Sequence, residues 1–154
     1  MAYAYDEDEL PPLPKREEVE RDLADWRARL TDLFGGIESW IGNDPRYRVV
    51  RSEVNRLEPM MTAVQLPVME FPALGIGWSD TEARGTTGIL FRPEARWVVG
   101  TRGRVWISTP SDLLYLIDKG TDDRADWWIY PKRSPYQSVP FTRDEVLRLL
   151  AELP

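Results

Sequence analysis

Between Gly88 and Ile107 the chain reads GILFRPEARWVVGTRGRVWI, four arginines and two tryptophans within a run of β-formers. Arginine offers a planar fork of donors and tryptophan a large ring with a single N–H, a combination suited to gripping an anion or the surface of another protein. Residues 84–104 hold Arg84, Arg92, Arg96, Arg102 and Arg104 against one acid, Glu94, a local charge of +4 in a protein of net charge −6. A second pair, Trp127-Trp128, lies downstream. The candidate binding residues are therefore Arg96, Arg102, Arg104, Trp97, Trp106, Trp127 and Trp128. The plainer account is a solvated arginine-rich face, its charges met by acids elsewhere, over tryptophans that belong to a core.

Carboxylates offer the other chemistry. Asp118, Asp122, Asp123 and Asp126 fall in the loop DKGTDDRADW, whose oxygens suit a hard cation. The spacing lacks the Gly and the terminal Glu of an EF-hand loop, and it reads first as a solvated turn. Asp80 and Glu82 beside the Asp118 loop would make a Mg²⁺-dependent carboxylate enzyme only with a suitably spaced lysine, which is missing. Gly75-Ile76-Gly77 and Gly100-Thr-Arg-Gly103 precede no helix, so they are turns or close-packing glycines rather than phosphate loops. Ser79, Ser108 and Ser111 have no visible base.

The chain contains no histidine and no cysteine. That removes Ser/His/Asp and Cys/His catalysis, His- or Cys-bound zinc, Fe–S clusters and disulfides. No cofactor is expected. No stretch approaches the roughly 18 apolar residues of a membrane span, and the start, MAYAYDEDEL, is acidic where a signal peptide is basic. A cytoplasmic protein is expected. The 17 Arg against three Lys suggest a GC-rich bacterial or phage genome. The acidic balance disfavours a general nucleic-acid coat and suits a partner with a basic surface.

Elements must position these groups. With 154 residues and 42% hydrophobic composition, the chain is long enough for one real core. Residues 1–14 read as an acidic, proline-rich arm and 15–154 as a single domain. Val19, Leu23, Trp26, Leu30, Leu33, Ile37 and Trp40 recur at alternating spacings of four and three, the stripe of a helix over 15–34, with Gly35-Gly36 as its stop and one further turn at 37–41. From Pro45 the period falls to two, predicting strands at 47–55, 60–66, 68–72, 74–78, 86–92, 95–100, 104–109, 113–118 and 126–130. Their brief connections require antiparallel pairing. Thr142 and Glu145 form a capping-box pattern, Phe141 and Val146 a staple, and Val146, Leu149, Leu150 and Leu153 the apolar face of a helix over 143–153.

The fold class expected is α+β: an N-terminal amphipathic helix, a curved, mainly antiparallel sheet of about 6–8 strands, and a short C-terminal helix. Within it, 96–107 predicts a hairpin turning at Gly100–Gly103, with Arg102 at its tip. In that register Val99 opposes Arg104 and Trp97 opposes Trp106, so both tryptophans share a face. Arg102 and Arg104 would then be free to meet a partner. Period two also puts Trp127 and Ile129 opposite to Trp128 and Tyr130. The sheet face away from the helices is either closed by the bent segment 60–78 or left as an aromatic platform.

Because no catalytic set survives, the expected function is a non-enzymatic protein-binding module, of the type of immunity or antitoxin proteins and accessory subunits. The first alternative is a small-ligand or nucleotide-binding domain with Trp78, Trp97, Trp106 and an arginine lining a pocket. The second is the metal-dependent carboxylate enzyme.

Overall fold

A computed structural model describes residues 12–80, 88–131 and 136–154. Helix α1 spans Arg16–Ile41, followed by strand β1 (Tyr47–Arg56), the single-turn helix α2 (Pro59–Ala63), β2 (Met69–Trp78), β3 (Ile89–Ala95), β4 (Arg104–Ser108), β5 (Leu113–Asp118), β6 (Trp127–Tyr130), β7 (Val139–Pro140) and helix α3 (Arg143–Ala151). The seven strands form one antiparallel sheet in chain order, β1 to β7, and it is not closed. This is the expected α+β architecture.

Helix α1 runs straight through Gly35-Gly36, where the sequence predicts a stop. Two internal glycines cost about 1 kcal/mol each against alanine. Burial of Ile37 and Ile41 beyond them contributes about 1.5–3 kcal/mol per side chain, which outweighs that cost. The helix ends at Gly42, whose N–H bonds Glu38 O. A Cβ at Gly35 or Gly36 would meet nothing within 4 Å. Gly35→Ala and Gly36→Ala should therefore each stabilise the fold by about 0.5–1 kcal/mol. Together they should raise the melting temperature by several degrees; an unchanged or lower value would show that this turn needs glycine.

Three strand assignments are corrected, that of 95–100 because β3 ends at Ala95 and no strand follows before Arg104. Residues 60–66 contribute α2 instead: Pro59 occupies a first-turn position that needs no N–H, and Met61 is wholly buried. Residues 68–72 and 74–78 are one strand running through Pro72. There β2 has β1 on one side only, since its pairing with β3 is confined to Leu74–Ile76, and a missing N–H is tolerated at such an edge. At α3, Phe141 and Val146 are both buried as the staple pattern predicts. Thr142 is the N-cap residue but makes no side-chain capping bond, so the capping box does not form.

The three described helices contribute to one core. Leu23, Trp26, Leu30, Phe34 and Ile37 of α1, Met61 of α2, and Val146, Leu149 and Leu150 of α3 join Phe91, Val105, Ile107, Leu116 and Ile129 of the sheet. Strand alternation then puts Arg92, Trp106, Tyr115, Trp128 and Tyr130 on the other face. None of the four aromatic residues belongs to the core or packs against it.

Candidate binding face of the sheet

The helix-free face is built by register. Arg92 of β3 pairs with Trp106 of β4, Trp106 with Tyr115 of β5, and Tyr115 with Tyr130 of β6. A second row runs Arg104, Ile117, Trp128 and Pro140. Most of these side chains are half-buried by one another. Cations lie on the rings: Arg56 and Arg92 at 5.9 and 5.8 Å from the Trp106 centroid, Arg104 at 4.9 Å from Tyr115, and Lys119 at 4.5 Å from Trp128. Such contacts contribute about 0.5–1 kcal/mol each at exposed sites.

The predicted 96–107 hairpin does not form: residues 96–103 belong to no strand and are the connection between β3 and β4. Trp106 opposes Arg92, not Trp97, because β3 ends at Ala95 after a bulge between Pro93 and Ala95. Beyond it the chain is drawn toward α2, since the amides of Arg96 and Trp97 donate to the buried Glu58 carboxylate at 3.0 and 3.2 Å. Trp97 consequently packs against the core while Trp106 does not. The exposed tip is Val99-Gly100, with Gly100 at φ +78°.

Arg102 is not at that tip. Its backbone amide donates to Asp118 O at 2.8 Å and its guanidinium pairs with Asp122. Arg104 pairs with Glu94 through Nε and Nη2 and stacks on Tyr115. The bond to Glu94 is the main reason that its pKa is raised further, against a smaller opposing effect of burial. Both arginines expected to be free are thus already neutralised. Arg96 lies 5.8 Å from the Trp97 centroid, and Arg84 falls outside the described residues.

Trp127 and Trp128 divide as period two predicts. Trp127 meets Trp26 of α1 at 5.9 Å on the core side, and Trp128 faces the other way beneath Lys119. The pocket expected from Trp78, Trp97 and Trp106 does not form: Trp78 stacks on Tyr47 at 5.1 Å and donates to Pro154 O, away from the other two. A different cavity of about 620 Å³ opens between α3 and the β5–β7 end of the sheet, lined mainly by Leu114, Ile129, Val139 and Leu149.

The acidic loop proves structural. Asp118 is fully buried; Oδ2 accepts from Arg29 Nη1 at 2.9 Å, and Oδ1 accepts from the amides of Gly120 and Asp126 at 2.8 and 2.9 Å. Arg29 also holds Asp25 and the carbonyls of Thr121 and Asp122. Burial disfavours the Arg29 charge, yet the hydrogen bonds and charges of Asp118 and Asp25 prevail and hold its pKa above the usual value. Among the described residues no group of three acids is placed to hold a metal ion, and no helix is long and apolar enough to cross a membrane.

Sequence reasoning missed Arg56, Arg92, Tyr115 and Tyr130 as members of the face. The alternation of 113–118 and 126–130 carried the signal for the two tyrosines; Arg56 reaches Trp106 only because β1 curls toward β3. No family model, no curated protein and no solved structure matches the chain, so its geometry alone speaks for its function.

Proposed function

We propose that the protein is a non-enzymatic binding module that docks another protein on the helix-free face of its sheet. The observation that carries this reading is the row Arg92, Trp106, Tyr115 and Tyr130, which spans four strands and whose three rings stay clear of the core. Tryptophan, tyrosine and arginine are the residue types that dominate protein–protein contact energies. Buried donors without acceptors concentrate there as well: Arg92 Nε, Trp106 Nε1 and Trp128 Nε1.

Affinity capture from the native host tests this with Tyr130→Ala on the face and Asp32→Lys on the exposed side of α1. One stoichiometric partner should be retained by the wild type and by Asp32→Lys. Tyr130→Ala should weaken it by about 2 kcal/mol, the size of a hot-spot loss. A partner lost through Asp32→Lys and kept by Tyr130→Ala would move the interface to the helix layer.

A further inference from the structure

Two cations on the face share one ring. Arg56, at the end of β1, and Arg92, in β3, both lie within 6 Å of the Trp106 centroid, and among the described residues neither guanidinium meets a carboxylate. Arg56 donates to Pro93 O at 2.9 Å and to Asn55 O at 3.0 Å, while the acid nearest in sequence to Arg92, Glu94, is taken by Arg104. Arg92 Nε and Trp106 Nε1 come from directly paired residues and both lack an acceptor. Two positive charges without a carboxylate thus border one ring of the aromatic surface, and the two donors between β3 and β4 are closed off from solvent.

We infer that the Arg56–Trp106–Arg92 stack is the point where this face takes an anionic oxygen, and that its occupant is an acidic protein segment presenting a glutamate or aspartate carboxylate. The inference rests on the proposed binding face and adds the chemistry of the partner, an acidic segment at this locally positive point in place of the basic surface that the overall charge suggests. A carboxylate supplies the counter-charge that the two guanidiniums lack, and arginine's fork matches its geometry. The ring beneath the guanidiniums lowers local hydration, which strengthens the pairing. A nucleic-acid strand fits less well, because a polyanion needs a continuous track of free cations. Here the cations next along, Arg104 and Arg102, are already paired with Glu94 and Asp122. One anionic contact within an apolar and aromatic footprint describes a protein segment better than a phosphate backbone.

The test uses the full chain and a fluorescein-labelled ten-residue glutamate peptide, read by anisotropy. Saturable binding that weakens with salt is expected. Arg56→Gln with Arg92→Gln should weaken it at least tenfold, Trp106→Phe a few-fold, and the distant Arg21→Gln not at all. Should the double variant fail to fold, the wild type still decides. The indole N–H signal of Trp106, assigned through Trp106→Phe, must shift in NMR spectra on adding the glutamate peptide and stay still with a ten-residue glutamine peptide. No binding, or binding without that shift, overturns the inference. A thirty-nucleotide single strand bound more tightly than the peptide, and lost through the same two arginines, would overturn it in favour of nucleic acid. In host captures, a partner lost by Tyr130→Ala but kept by Arg56→Gln/Arg92→Gln overturns the anion point and leaves the face standing. A partner indifferent to both removes the face and the inference with it.

Discussion

Asp118→Ala is expected to lose about 3–5 kcal/mol of stability, a large share of the total for a domain of this size. The carboxylate is wholly buried and satisfies three donors at once: Arg29 Nη1 and the amides of Gly120 and Asp126. Its removal leaves a guanidinium only 5% exposed with the partly exposed Asp25 as its one remaining carboxylate, and two amides without acceptors. Arg29→Met combined with Asp118→Leu should cost less than the single change, because no buried charge remains, although the two loop amides stay orphaned. Urea unfolding of the two singles and the double closes the cycle. A loss under about 1 kcal/mol for Asp118→Ala would mean that the carboxylate is not the clamp between α1 and the 118–126 loop.

The second large effect is expected at Gly103. A methyl there would land on the six-membered ring of Trp26, and the residue sits at φ +145°, where side chains are strained. Overpacking costs about 1–3 kcal/mol and the backbone conformation about 1–3 more. Gly103→Ala should thus rank with the Asp118 change in a denaturant titration. Trimming the obstacle should restore part of it, so Trp26→Leu with Gly103→Ala should cost less than the sum of the singles. Strict additivity would exclude the clash and leave the backbone as the sole cause.

Local periodicity carried the parts of this fold that were legible in sequence. The stripe of α1 and the staple at Phe141 and Val146 are read within a dozen residues, as is the alternation that separates Trp127 from Trp128. What escaped depended on distant partners. Gly35-Gly36 looks like a stop until the burial of Ile37 and Ile41 is known. The 96–103 segment looks like a tight hairpin until Glu58, far upstream in the chain, takes the amides of Arg96 and Trp97. The same holds for the candidate site. Arginines 102 and 104 appear free in sequence and are paired in space, whereas Arg56, unremarked in sequence, reaches Trp106.

The pairing of Arg29 with Asp118 also has a bearing on biosynthesis. The two residues are 89 positions apart, and α1 leaves the ribosome first while the strands that cover its apolar stripe follow. At about 5–20 residues per second, roughly 4–18 seconds pass between the synthesis of Arg29 and that of its counterion. The chain-ordered meander can grow hairpin by hairpin during that interval, since each strand pairs with the one just made. Helix α1 cannot dock fully until β5 arrives. The nascent chain therefore presents a Leu- and Trp-rich helix to its surroundings for seconds, and a holdase chaperone or a partner already at hand has that long to engage it.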